Sequence, residues 1–157
     1  MIEGIVRPII GYMCYGDTLH YCGVEHIGYV MGERIILHPM NWARSVVYQA
    51  VNRNSNLIYM DWNITCSGLC TETALLENAV RSIEATVNGA ALYAPRVSRA
   101  RMNAGQTPLE PEFMIEVSDA TLNAGLKRKE AGEILHKIAA KLKGREPETG
   151  KTIHECY

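Results

Sequence analysis

Leu57-Ile58-Tyr59-Met60-Asp61-Trp62-Asn63, then Cys66-Ser67-Gly68-Leu69-Cys70, then a run from Thr71 to Asn88 closed by Gly89, then Ala90-Ala91-Leu92-Tyr93: this stretch decides the fold. The first segment is rich in β-branched and aromatic residues and short enough for a strand. Leu76, Val80, Ile83 and Val87 recur at i, i+4, i+7 and i+11, one face of a helix, and Gly89 stands where a helix commonly ends. Ala90–Tyr93 reads as the next strand. A strand, a long helix and a second strand in succession spell two parallel strands joined by a crossover helix.

Upstream the alternation continues. Ile5 to Tyr12 is a β-branched region interrupted by Pro8. Asp17-Thr18 can cap a helix through about Met31, with Leu19, Cys22, His26 and Val30 on one stripe and Gly32 as its stop. Arg34–His38, before Pro39, suits a buried strand. Asn41 can cap a helix to about Val51, which the polar cluster Asn52–Asn56 closes. The order to Tyr93 is therefore β-α-β-α-β-α-β, an α/β class with a parallel sheet.

Downstream, a loop from Ala94 to Arg101 leads to Thr107-Pro108-Leu109-Glu110, a capping box with proline in the first turn. The helix it opens carries Phe113, Val117, Ala120 and Ala124 on one stripe and ends at Gly125. A second helix, from about Lys127 to Leu142, places Ala131, Ile134, Leu135, Ile138, Ala139 and Leu142 on one face. Gly144–Gly150 reads as a mobile link and Lys151–Tyr157 as a tail that needs a docking place to be ordered. The whole, residues 1–157, reads as one domain: βα units to about residue 93, loop and C-terminal helices at 94–143, and a tail at 144–157.

Sixteen Lys and Arg against seventeen Asp and Glu leave a formal charge of -1, so no basic excess exists to neutralise a nucleic-acid backbone. No apolar run approaches the roughly 20 residues of a membrane span, and Glu3 and Arg7 interrupt any signal-peptide core. Five cysteines are an odd count in a chain large enough to bury a core, which disfavours a disulfide framework and fits a reducing cytoplasm.

The richest chemistry lies at Cys66 and Cys70, between a strand and a helix start. Helix amides there stabilise a thiolate, or two thiolates offer soft metal ligands if Cys14, His20, Cys22 or His26 converge to complete the set. The competing reading is small residues packing a tight turn, and no metal is assigned. Polar residues near the carboxyl ends of the strands form a candidate rim: Tyr15, Asp17, His38, Asn63 and Arg96. Asp17 equally serves as a cap and His38 as a turn residue. Arg96, with Arg99 and Arg101, suits an anionic substrate or an acidic partner, or a solvated loop. Glu3 is a candidate buried acid/base or part of a frayed terminus, and His26 and His136 sit on helical stripes as core-edge residues. There is no GxGxxG, P-loop, HExxH or nucleophile elbow.

The run Cys66-Ser67-Gly68-Leu69-Cys70-Thr71-Glu72, continuing through Leu75-Leu76-Glu77, Ser82-Ile83, Thr86 and Gly89, resembles the C-terminal part of the archaeal monomethylamine:corrinoid methyltransferases. Ser98, Glu116-Val117, Ile134-Leu135, Gly150-Lys151-Thr152 and Glu155-Cys156-Tyr157 are similar to that family's closing segments, whereas before Cys66 the likeness is looser. The resemblance implies the second half of a TIM-type (β/α) barrel followed by two C-terminal helices, in keeping with roughly half the strands a closed barrel requires. It implies transfer of a methyl group from monomethylamine to the Co(I) of a corrinoid carried by a partner protein, in methanogenesis, with no cofactor bound directly. In that family pyrrolysine, encoded by an in-frame amber codon, holds the amine; this chain contains no such position.

By the same resemblance Glu3 corresponds to a family active-site glutamate. Trp62 stands where the family has a glutamine, with Asn63 adjacent. Glu3 and Asn63 are thus the catalytic candidates, and His38 and Arg96 the substrate or partner contacts. Half a barrel exposes strand edges, so a homo-oligomer or a missing N-terminal half is expected. The alternatives are a binding or assembly module that keeps the corrinoid-protein docking face without the chemistry, and a small metal protein built on Cys66 and Cys70.

Overall fold

A computed structural model describes residues 19–21, 40–56, 58–97 and 106–157. In chain order these form β1 (Leu19–Tyr21), α1 (Met40–Asn54), β2 (Ile58–Thr65), α2 (Glu72–Asn88), β3 (Ala91–Val97), α3 (Leu109–Asn123), α4 (Arg128–Leu142) and the single turn α5 (Ile153–Cys156). The three strands make one parallel sheet in the order β1-β2-β3. The crossover pattern expected over 57–93 is therefore present.

β1 corrects one expectation. Leu19–Tyr21 is not the first turn of a helix but a strand, with Leu19 opposite Ile58 and Tyr21 opposite Met60. Gly23 and Gly28, both poor helix formers, weaken the helical pattern in the sequence that follows. The strands expected at 5–12 and at Arg34–His38 lie outside the described residues.

α1 runs through Asn54 rather than stopping near Val51. The polar cluster extends the helix because its side chains satisfy the last carbonyls: Asn54 Nδ2 donates to Ala50 O at 2.7 Å and Ser55 Oγ to Val51 O at 2.8 Å.

β3 also outruns expectation, continuing past Tyr93 through Pro95 and Arg96 to Val97. Trp62 pairs with Tyr93 and Ile64 with Arg96, so β3 carries one extra residue between those pairs. A bulge at Ala94-Pro95 absorbs the N–H that proline lacks, and the ladder resumes beyond it.

α2 is the hub, packed by β2, β3, α1, α3 and α4. Its start and stop are as read: Thr71 Oγ1 accepts from Ala74 N at 3.1 Å, and Gly89 closes the helix at φ 78°. What the sequence hid is that both faces are buried. Val80 and Ile83 are buried, but so are Glu77, Asn78, Arg81, Ser82, Glu84 and Asn88. The polar stripe meets the sheet and α1: Asn78 and Ser82 bond Asn63, Ser45 Oγ donates to Glu84 Oε1 at 2.6 Å, and Gln49 Nε2 to Asn88 Oδ1 at 2.9 Å. Tyr48, Ala85 and Ala90 form a small apolar cluster beside it.

Glu110 accepts from Thr107 N at 2.6 Å and from Thr107 Oγ1 at 2.5 Å, so one half of the expected capping box is present, while α3 itself is capped at Pro108 with no side-chain cap bond. The buried stripe of α3 is rotated from the one expected: Glu110, Met114 and Thr121 are buried, Phe113 and Val117 half-buried, and Ala120 and Ala124 exposed. On α4 the expected face holds, with Ala131 and Leu142 buried and Ile134, Leu135, Ile138 and Ala139 half-buried.

Candidate functional site

Parallel sheets collect functional groups at the carboxyl ends of their strands. At the end of β2 the chain turns through Cys66–Cys70 into α2, and this loop is held from two sides. From inside, the Glu77 carboxylate accepts from Cys66 N at 2.7 Å and Ser67 N at 2.9 Å, both on Oε2, while Ser67 Oγ donates to Oε1 at 3.4 Å. Thr65 Oγ1 donates to Ser67 O at 2.9 Å, and Thr71 Oγ1 to Gly68 O at 2.9 Å. A buried carboxylate thus takes the amides that the turn cannot pair with itself.

From outside, the C-terminal segment crosses the loop. Gly68 N donates to Glu148 O at 2.8 Å, Lys151 N to Leu69 O at 3.0 Å, and Glu148 N to Ser67 Oγ at 3.3 Å. Thr73 Oγ1 donates to the Glu148 carboxylate. The stretch expected to be a mobile link is therefore bonded to the loop along its second half. The expected tail does dock: Thr152 and Glu155 form a capping box for α5, with Thr152 N donating to Glu155 Oε2 at 2.7 Å.

α5 brings Cys156 to Cys70, with Cα atoms 6.2 Å apart, and the two form a disulfide. This corrects the reading of the cysteines as unbridged. Composition could not reveal it, because it depends on the tail folding back over 86 residues of chain. It also removes Cys70 as a partner thiolate for Cys66, which is not disulfide-bonded. Among the described residues no cluster of three or more His, Cys, Asp or Glu could hold a metal ion. Cys70 itself adopts φ 55°, a left-handed conformation that completes the turn before the Thr71 cap.

The other candidates fall as follows. Asn63 is fully buried, and Nδ2 donates to Asn78 Oδ1 at 2.5 Å and to Ser82 Oγ at 3.5 Å, tying β2 to α2. Arg96 belongs to β3, not to a loop, opposite Ile64 near the strand's carboxyl end. Glu3, Tyr15, Asp17, His38, Arg99 and Arg101 lie outside the described residues, so the rim cannot be assembled from them. His136 is exposed on α4, its Nδ1 2.7 Å from Gly132 O. The residues that shape the loop, Glu77 and Glu148, were not singled out. For Glu77 a signal existed: it lies in Leu75-Leu76-Glu77, part of the run that carries the family resemblance.

Between α1, α2 and α4 runs an open cleft of about 360 Å³, with Gln49, Val87, Asn88, Arg128, Leu135 and His136 among its lining residues. Its amides are already paired, Gln49 with Asn88 and Asn88 Nδ2 with Glu84 O. No helix among the described residues is long and apolar enough to cross a membrane.

The parallel strands, the crossover helix and a shaped loop at the strand end define an α/β protein of the kind that builds its site on strand-end loops. More narrowly, the family model of the monomethylamine methyltransferase MtmB matches residues 5–157, and the chain belongs to that family. The crystal structure of the Methanosarcina barkeri monomethylamine methyltransferase is similar at a TM-score of 0.53 and 27% identity, covering 68% of this chain and 24% of that one. The structure of the hydroxylamine MtmB complex matches with the same figures. The chain thus spans 24% of the length of the enzyme it resembles. No curated relative matches the chain.

Proposed function

We propose that the chain supplies part of a monomethylamine:corrinoid-protein methyltransferase, forming a portion of a TIM-type barrel followed by two C-terminal helices. The observation that carries this reading is the family match across residues 5–157. In the reaction, a Co–C bond forms to the methyl group as the C–N bond breaks, and the amine leaves as ammonia. The corrinoid arrives as a substrate on a partner protein, so this chain binds no cofactor of its own.

What the chain contributes in this reading is the wall at the carboxyl ends of β2 and β3. Glu3 is the proposed acid that improves the amine as a leaving group, and His38 and Arg96 are the proposed contacts to substrate or partner. Asn63, buried against α2, supports the wall as a positioning residue instead of touching the amine.

A second reading follows from that same contact: a binding or assembly module that keeps the docking face for a corrinoid protein without the chemistry. Asn63 is engaged by α2, and Trp62 occupies the position at which the resemblance places a glutamine. The test adds the purified chain to a reduced methylamine-pathway corrinoid protein and monomethylamine, and follows the corrinoid spectrum and the solution mass. Spectral conversion to methyl-Co(III) supports transfer. Complex formation without conversion favours the second reading, and neither one overturns both.

A further inference from the structure

We propose that the Cys70–Cys156 disulfide is a redox-operated latch, holding residues 148–157 as a strap across the β2–α2 loop, and that its reduction releases the strap while the base of the loop stays formed. The loop amides divide into two sets with different owners. Cys66 N and Ser67 N are held by Glu77, which belongs to α2. Gly68 N is held by Glu148 O, and Leu69 O receives Lys151 N, so this second set depends on the strap.

No residue of α5 is buried, and its capping box is internal to the segment. The ion pair that precedes the strap, Arg145 to Glu72 at 3.5 Å, joins side chains 45% and 73% exposed, a weak tie in water. The covalent bond thus ties α5 to Cys70, at the head of α2. Both cysteines are only half-buried, within reach of a small reductant.

The switching step is an ordinary exchange with a dithiol. A thiolate of the reductant attacks one sulfur, the Cys70–Cys156 bond breaks, and the second thiol of the reductant closes its own disulfide. Two electrons and two protons pass to the protein, leaving Cys70 and Cys156 as thiols. Opening the strap uncovers the outer side of Gly68-Leu69 at the carboxyl end of β2. The latch stands whether or not the chain transfers methyl groups.

The test measures residue-resolved amide exchange on the full chain, oxidised, after dithiothreitol, and as the Cys156→Ser variant. In both opened forms Gly68 and Lys151 should exchange at least about tenfold faster while Cys66 and Ser67 change by less than about twofold. Three results overturn the proposal: alkylation of Cys70 and Cys156 in the unreduced protein, unchanged exchange at Gly68 on reduction, or acceleration of all four amides together, which marks general loosening instead of a latch.

Discussion

Gly68 and Gly150 cross in backbone contact: a Cβ on Gly68 would collide with the carbonyl of Thr149, and one on Gly150 with the Gly68 backbone. Gly150 also sits at φ 78°, where a side chain is strained. Gly68→Ala should therefore displace the strap, costing about 1–3 kcal/mol, because backbone on both sides leaves nothing flexible to move aside. Gly150→Ala should cost as much or more. Gly125→Ala is the control: its φ is 60° but nothing lies within 4 Å of the added methyl, so about 1 kcal/mol of backbone strain is the whole effect. Urea unfolding of the three variants gives the order directly.

Glu77 receives two loop amides on one oxygen. Removing it leaves buried N–H groups unpaired, so Glu77→Ala should destabilise by about 3 kcal/mol, and Glu77→Gln, which keeps one carbonyl oxygen, by about half that. Equilibrium denaturation measures both. A Gln variant as damaged as the Ala variant would show that the charge, and not the acceptor geometry, matters.

The helices were legible because their caps are local. Thr71 and Gly89 act within a turn and are where the sequence put them, and the Thr107–Glu110 pair forms half of its box. The strands were less so. β1 was hidden inside an apparent helical stripe, since three residues are too few for a period of two to outvote one of 3.6, and only its partner β2 decides the matter. The end of β3 was missed because proline ordinarily ends a strand, and the bulge that tolerates it is a property of the pair. For α2 the pattern of Leu76, Val80, Ile83 and Val87 marks one apolar face and says nothing of the opposite one. The sheet and α1 bury that opposite face, where Ser45 Oγ engages Glu84. The site shows the same divide: Cys66–Cys70 was recognisable as a strand-end loop, but its partners arrive from Glu77 and from residues 148–156, distances in sequence that no local pattern spans.

Opening the Cys70–Cys156 bond should lower stability as well as free the strap. The bond closes a loop of 86 residues, for which chain entropy alone allows about 4–5 kcal/mol, and the measured loss should fall nearer about 2–4 kcal/mol because reduced chains keep some structure. Comparing urea midpoints of the native chain with and without dithiothreitol, alongside Cys156→Ser, measures the difference. The two reduced states should agree, and a native chain insensitive to dithiothreitol would show that the bond does not constrain the unfolded chain.

Asn63 joins β2 to α2 through Asn78 and Ser82. Asn63→Ala should leave the buried Asn78 amide oxygen with only the 3.1 Å bond from Ser82 Oγ and cost about 1–3 kcal/mol. Ser82→Ala should cost less, because Ser82 Oγ also bonds within its own helix, to Asn78 O at 2.8 Å. Since these residues share one network, the double variant should be less damaged than the sum of the singles. Additive losses in thermal unfolding would mean that the 3.5 Å contact between them carries no energy.

Arg81 is 1% exposed, and among the described residues neither terminal guanidinium nitrogen has a hydrogen-bond partner. A charge in that position has lost its water without full compensation, and burial of an incompletely paired ion is generally worse than burial of an apolar group of similar length. Arg81→Met should consequently be neutral or stabilising by about 1 kcal/mol, the reverse of the sign expected for most buried substitutions. Arg81→Ala removes the stem as well and should destabilise by about 2–4 kcal/mol through the cavity it opens. If Arg81→Met instead unfolds the protein as readily as Arg81→Ala, the guanidinium charge stabilises the fold and the sign of this prediction is overturned.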